Sequence, residues 1–441
     1  MNDPAHFLAR KHFGIFEGEL LAGGIPVSAL AGKYGTPLYI YDKKVVNAKL
    51  QALLTALPAV FEVCYSVKAN PNLAVVKHLV SQGCGLEIAS AGEFRQGLKA
   101  GCEPQRMLFA GPGKSEAELE LVVSHGIGEI HIESLLEANR LGTICRKLGV
   151  RANVAIRVNP SGVAEGGAMR MGGRPAAFGI DEEILDEAID AVLADKALSF
   201  SGIHVYAGTQ ILDANVLIAQ YRHALSVARA AAKRSGGPLR RVDMGGGLGI
   251  PYFANENELD LEQVRTGLAD LFAEIHSDAA FKDTEFLVEP GRFLVGESGI
   301  YVARVNNVKV SRGKKFVIVD GGMNHHLAAS GNLGQTIKRN YPIAILNKLD
   351  SPSEDTVDVV GPLCTPLDTL ARSANLPSPE VGDLFGIFQS GAYGRSASPL
   401  GFLSHPAPAE VWVDAGGDLL ACARGENSDS LVDQSLELKV R

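Results

Sequence analysis

Between residues 62 and 291, short apolar runs rich in β-branched residues alternate with longer stretches whose apolar residues recur every three or four positions. The runs are EVCYSVKA (62–69), GLEIAS (85–90), RMLFAG (106–111), EIHIES (129–134), VAIRVN (154–159), SGIHVYAG (201–208), RRVDMGGG (240–247) and EFLVEPG (285–291). Stretches such as SEAELELVVSHG, EEILDEAIDAVLADK and LIAQYRHALSVARAAAKR read as helices between them. Strands alternating with crossover helices predict a parallel sheet. Eight units in roughly 230 residues favour a closed (β/α)8 TIM-like barrel, which takes about 250, over an open doubly wound sheet.

After Arg292 the helical period fades. GIYVARVNNVKV, KKFVIVDGG, DTVDVVGPL, DLFGIF and AEVWVDAGG are short alternating strands divided by turn residues. They predict an all-β domain. PLYIYD (37–42) has the same character and is expected to pair into it. The expected division is a barrel over 44–296, with 1–43 and 297–441 forming a β-sandwich or β-barrel domain.

The polar residues then fall at one end of the predicted barrel. Lys68, Glu87, Ser90, Glu133, Ser134, Arg157, Asn159, Tyr206, Thr209, Gly245–Gly246–Gly247 and Glu289 all lie at the C-terminal ends of the runs. Active sites of such barrels are built there. A single polar strand end is ordinary, because loops are wet. Several ionisable groups converging on one rim instead suggest a ligand that pairs with them.

Composition narrows the classes. The chain has 441 residues, 46% of them apolar, and a net charge of −8. That predicts a core-forming protein and argues against a dedicated nucleic-acid or anionic-membrane surface. No window approaches about 18 uninterrupted apolar residues, and MNDPAHFLARKHFG carries no signal-peptide run, so no membrane span is expected. Six dispersed cysteines without a CxxC pair suit reduced thiols in a cytoplasmic protein, with no structural metal site.

DMGGGLGIPY sets three glycines directly after a strand, where bare amides can cradle a phosphate, although a tight turn would look the same. EPGR repeats the device one unit later, with Glu289, Gly291 and Arg292. A lysine, an anion cradle and a strand-end carboxylate together meet the needs of pyridoxal phosphate: an amine for its aldehyde, donors for its phosphate, and a partner for its ring nitrogen.

YSVKANPN, HVYAGTQ, MGGGLGIPY, EPGR, GPLCTPLD and GAYGRSAS stand in the order and spacing of fold-type III pyridoxal phosphate decarboxylases, and the chain resembles that family over nearly its whole length. The resemblance implies an alanine racemase-like fold and α-decarboxylation of an amino acid. It implies Lys68 as Schiff-base lysine, Glu289 as partner of the pyridine nitrogen, and Gly245, Gly246, Gly247, Gly291 and Thr209 as phosphate ligands. Glu87, Ser90, Arg157 and Tyr206 would lie near the ring, with Arg292 beside cofactor and substrate. Cys364 resembles the cysteine that arrives from a second subunit to protonate the decarboxylated carbon, and Tyr393 a tyrosine reaching the partner's cofactor. A homodimer with shared active sites is thus expected.

Three departures bear on substrate. The residue that in the family is a ring-stacking histidine is Tyr206, with His204 two positions before it. The acidic residue that usually follows the cysteine is Thr365, and Asp368 comes three later; these two are the candidate substrate residues. DGGMNHHLAASGNL (320–333) lacks the arginine and tyrosine that diaminopimelate decarboxylases carry after this motif. These changes argue against free diaminopimelate, lysine, ornithine and arginine. The pattern resembles the exosortase-associated decarboxylases and those acting on a glutamyl thioester held by an acyl-carrier protein. Arg170, Arg174, Lys338 and Arg339 are candidates for docking such a carrier, although solvated loop charges would read alike. Diaminopimelate decarboxylase remains the alternative, and a catalytically inactive pyridoxal-binding regulator the alternative of another class. A racemase would set an arginine against the ring nitrogen, where this chain has Glu289.

Overall fold

The computed structural model describes residues 3–161, 169–170 (backbone only), 175–206, 208–333, 335 and 338–425. The chain divides into two compact units. One comprises Lys49–Pro251 and Asn257–Phe293; the other comprises Met1–Ala48, Tyr252–Glu256 and Leu294–Arg441, its described part ending at residue 425.

The first unit is a closed parallel barrel. Its strands are Phe61–Ser66, Gly85–Ile88, Met107–Phe109, Glu129–Ile132, Ala152–Asn159, Leu198–Val205, Arg241–Asp243 and Glu285–Val288. Each pairs with the next in chain order, and the eighth returns to the first through Phe286↔Phe61, Leu287↔Glu62 and Val288↔Val63. Leu86, Ile88, Ile130, Ile132, Val154, Ile156, Val242 and Val288 are fully buried. Burial on both faces is why these strands read as near-continuous apolar runs.

Six of the eight strands are shorter than their runs; Ala152–Asn159 and Leu198–Val205 instead begin earlier. Lys68 lies in a single 3-10 turn, Val67–Ala69, beyond the first strand, and Tyr206 and Glu289 each follow the last strand residue. The chain turns over into the next helix at these points, and serines mark the turnover. Ser90 caps Ala91–Lys99 by accepting the Glu93 N–H, Ser134 caps Leu135–Leu148, and Ser115 forms a capping box with Glu118 at the head of Glu116–Ser124.

The second unit is built on one sheet. In order its strands are Thr369–Leu376, Asp355–Val360, Lys314–Val319, Gly299–Ser311, Leu38–Asp42, Ala409–Asp414 and Gly417–Cys422. Leu38–Asp42 lies antiparallel to Gly299–Ser311 and parallel to Ala409–Asp414, and all five of its residues are buried. The N-terminal helix Pro4–His12, capped by Asp3, adds Ala5, Leu8 and Ala9 to this unit's core.

One contact in the barrel leaves no room for a side chain. A Cβ on Gly202, in the sixth strand, would stand 1.7 Å from the carbonyl oxygen of Arg241 in the seventh. Gly202→Ala should therefore push the two strands apart and lower unfolding stability by about 3 kcal/mol, the scale of overpacking a tight core. Urea denaturation followed by circular dichroism measures this; an unchanged midpoint would refute it.

Candidate active site

The turn carrying Lys68 is set by ANPN. The Asn70 side chain accepts the Asn72 N–H at 3.0 Å, and Asn72 caps the helix Leu73–Ser81. Lys68 Nζ lies 3.0 and 3.1 Å from the two oxygens of Glu87, one strand along, and the Ser66 hydroxyl donates to the same carboxylate. The Glu87 side chain is 2% exposed and that of Lys68 44%. The amine is thus anchored by Glu87 while much of the side chain stays accessible.

The glycine run lies where side chains could not. Gly245 and Gly247 have φ of +70° and +94°. A Cβ on Gly246 would meet the carbonyl oxygen of Glu289 at 2.4 Å, and one on Gly247 that of Gly208 at 2.8 Å. The Tyr206 ring borders the run, 3.2 Å from the Cβ position of Gly245, and the Arg157 guanidinium lies 5.7 Å from the ring's centre. Thr209, half-buried, sits in the backbone bridge that follows the sixth strand. Gly291 serves a close approach too, since its Cβ would stand 2.9 Å from that of Ala69, beside Lys68. Arg292, the next residue, is half-buried.

Glu289 is buried at the centre of this rim. Its N–H donates to the Gly245 carbonyl at 2.9 Å, and its Oε2 lies 3.3 Å from His204 Nε2. Burial pushes its carboxyl up, but the charge and hydrogen bond of His204, with His131 and Lys68 beyond, outweigh that and hold it well below the usual carboxylate range. Asp243 moves the other way: burial first, then the Glu289 charge, drives its carboxyl well up. One of the two acids carries the negative charge, and it is Glu289. The neutral Asp243 carboxyl also shares a side-chain hydrogen bond with Glu289.

Around these groups lies a second set of buried charges. Arg157 donates to Glu133 at 2.9 Å, and Glu133 also accepts the N–H groups of Gly111 and Gly179. Lys114 Nζ lies 2.5 Å from Glu137 and donates to the Gly111 carbonyl. The sequence reading missed Lys114, Glu137, Glu129, His131 and Asp243. One signal was available: Glu129, His131 and Glu133 occupy alternate positions of a short strand that is otherwise apolar, so all three lie on one face.

The candidates of the second unit have their own geometry. Cys364 is an exposed free thiol in the loop after Asp355–Val360, and Thr365 follows it with its side chain half-buried. Asp368 is engaged within its own unit. It is 2% exposed, and its two oxygens accept the N–H groups of Met323 (2.6 Å) and Leu363 (2.8 Å), so it clamps the cysteine loop to the DGGMN segment. In that segment His325 and His326 are buried; burial pushes them down to about 4 and about 3, leaving neutral rings in the core. Tyr393 holds a φ of +53°, a left-handed backbone that bulky residues rarely adopt.

The carrier-docking charges are less available than the sequence suggests. Arg339 stacks over Phe253 at 3.4 Å and reaches Glu256, and Lys338 donates to Asn332. Arg174 and the side chain of Arg170 lie outside the described residues.

An anchored but accessible amine, backbone amides free of side chains, and a buried carboxylate held in its ionised form fit pyridoxal phosphate. Comparison with known proteins agrees. Residues 43–296 match the family described as pyridoxal-dependent decarboxylase, pyridoxal binding domain. The L-glutamyl-[BtrI acyl-carrier protein] decarboxylase of Niallia circulans is 37% identical over 92% of this chain and 96% of its own. The diaminopimelate decarboxylase of Aquifex aeolicus is 33% identical over 96% and 97%. The solved diaminopimelate decarboxylase of M. jannaschii, in complex with L-lysine, superposes with a TM-score of 0.89 at 26% identity, over 97% of this chain and 98% of that one. The chain belongs to the pyridoxal-dependent decarboxylases.

This decarboxylase is a pyridoxal phosphate-dependent carboxy-lyase acting on an amino acid, and its barrel-plus-β-sheet architecture is that of fold type III. Among its described residues no helix is long and apolar enough to cross a membrane.

Two substitutions test the site. Lys68→Ala is expected to abolish both turnover and the visible absorbance of bound cofactor. Gly246→Ala, which collides with the Glu289 backbone, should weaken cofactor retention at least about tenfold, a loss of roughly 1.4 kcal/mol. Cofactor left covalently attached to Lys68→Ala after borohydride reduction and dialysis would refute the lysine assignment.

Proposed function

We propose that this enzyme removes the α-carboxylate of an aminoacyl group, glutamyl in type, that is presented as a thioester on an acyl-carrier protein. The observation that carries this reading is the fate of the acid beside Cys364. Free basic substrates need an anion for their distal amine, because a buried unpaired charge costs several kcal/mol. Here Thr365 offers a hydroxyl, and both oxygens of Asp368 are taken by backbone amides. A substrate whose far end is a neutral thioester needs no such anion. The resemblance to a carrier-protein glutamyl decarboxylase supports the same reading.

Bound pyridoxal phosphate supplies the electron sink for the pair released with carbon dioxide. The chain does the rest. Lys68 holds the cofactor covalently between turnovers, and Glu87 orients that amine. The amides of Gly245, Gly246, Gly247 and Gly291, with Thr209, hold the phosphate. Glu289 would partner the ring nitrogen, with Tyr206 and Arg157 beside the ring. Arg292 stands next to Gly291 to steer anionic groups. Cys364, contributed by a second subunit of a homodimer, delivers its Sγ proton to the carbon that lost the carboxylate. Tyr393 arrives with it. The exposed thiol and the strained Tyr393 backbone are consistent with a surface completed by another copy.

Substrate and assembly are separable by experiment. Carbon dioxide release should be rapid from glutamyl-loaded carrier protein and at background from free diaminopimelate, lysine, ornithine and arginine. Efficient turnover of free diaminopimelate would overturn the substrate reading. Mixing inactive Lys68→Ala and Cys364→Ala subunits should restore about a quarter of wild-type activity, since half of randomly formed dimers would hold one intact site of two. No recovery on mixing would refute sharing.

A further inference from the structure

The sheet of the second unit has two unlike faces. On one, Val317, Val319 and Val359 are fully buried. On the other, Phe316, Ile318 and Val360 are only half-buried, and they floor a groove of about 400 Å³. Strand pairing fixes its layout. Lys309 lies opposite Phe316, and Ile318 opposite Val360, so the floor spans three adjacent strands. Val360 ends the third of these, and Leu363 and Thr365 carry the lining on into the cysteine loop. One end of the groove is thus Thr365, the neighbour of Cys364. Lys309 stands toward the other end, two residues back from the level of Ile318 and Val360, or about 7 Å along the strand.

Lys309 and Asp368 are the ionisable residues that line the groove. Both oxygens of Asp368 are engaged by backbone amides. Asp358, opposite Phe316, is held by Lys314 at 2.6 Å and by the Ser373 N–H. Lys309 is exposed and has no acidic partner among the described residues. The groove therefore combines a free cation, an apolar floor, and the hydroxyls of Ser311, Thr365 and Thr369 in its lining.

A carrier-bound substrate has matching chemistry. Its α-carboxylate is the group that leaves, so the glutamyl group must be joined to the carrier through its side-chain carboxyl. The far end of the amino acid, where Thr365 stands, then continues into the carrier's phosphopantetheine arm: a thioester, two amides, a gem-dimethyl group and a phosphate. On the reading that the substrate is carrier-bound, we propose that this groove receives the arm. The thioester end lies at Thr365, the dimethyl group on Ile318 and Phe316, and the phosphate at Lys309. The hydroxyls serve the amides, which cannot be left unpaired against an apolar floor. The enzyme thereby reads the arm itself, whatever surface the carrier protein presents.

The test compares three substrates, each glutamate joined through its side chain: the thioesters of N-acetylcysteamine, pantetheine and phosphopantetheine. Carbon dioxide release from the holoenzyme is the signal. In wild type, kcat/KM should rise about tenfold from the first to the second, as two methyl groups are buried. Adding the phosphate should raise it about fivefold more, the scale of an exposed ion pair. Lys309→Gln should abolish the second increment and keep the first. Ile318→Trp fills the floor with a residue that strands accept, and it should abolish the first. Equal turnover of all three substrates by wild type would overturn the groove while leaving a carrier-bound substrate standing. Increments that survive in both variants would overturn it as well. If no thioester releases carbon dioxide, the carrier-bound substrate falls and the occupant of the groove with it. Equal losses on all three substrates in either variant would also overturn the proposal, and sedimentation would then show whether the groove is instead a contact between two copies.

Discussion

Closure of the eighth barrel strand onto the first is the constraint from which the site follows. That pairing, Phe286↔Phe61 through Val288↔Val63, brings the end of one strand beside the end of the other. The Ser66 N–H then donates to the Pro290 carbonyl, and Gly291 packs against Ala69 with no room for a side chain. Lys68 and Glu289, 221 positions apart in the sequence, become neighbours because two backbones touch. A bulkier residue at 246 or 291 would part the backbones and separate amine from carboxylate. The glycines therefore do two jobs: they bare amides for an anion, and they let the strands bring the chemistry together.

The arrangement of charge around that seam follows from burial. A carboxylate in a barrel core is expensive unless it is paired. This barrel pairs its interior acids in different ways: Glu87 with Lys68, Glu133 with Arg157, Glu137 with Lys114, and Glu129 with His131. Asp243 instead moves toward the neutral acid. Glu289 stands between the two, held ionised beside His204 and sharing a hydrogen bond with the neutral Asp243.

Much of this was legible in the chain because the barrel writes itself as a period. Buried parallel strands give apolar runs, their crossover helices give amphipathic ones, and the glycines and Lys68 sit at fixed places in that alternation. What escaped was polarity inside the strands. His131 sits one residue from the end of its strand and Asp243 ends its own, where a polar residue looks like the start of a loop, and partners such as His204 and Glu289 come from other strands. Periodicity reports which face a residue takes but not what it meets there. Asp368 shows the same limit. Its position three residues after Thr365 suggested a substrate contact but not that the turn uses its carboxylate to satisfy two backbone amides. An aspartate in a tight turn competes for backbone donors, and here the backbone prevails.

That outcome bears on how substrate preference can change without cost to the fold. The GPLCTPLD loop separates two functions onto two residues. Asp368 ties the loop to the DGGMN segment, with Gly322 and Gly361 closing to within 2.6 Å of its carboxylate at their Cβ positions. Thr365, three residues away, makes its link through backbone and hydroxyl to the neighbouring turn and carries none of that clamp. Replacing an acid at 365 removes a charge from the surface and leaves both clamped amides satisfied, so the loop keeps its shape while its chemistry changes. Replacing Asp368 would strand two buried donors at about 1–3 kcal/mol each and release the cysteine loop. A change of chemistry at 365 is thus compatible with an unchanged clamp at 368.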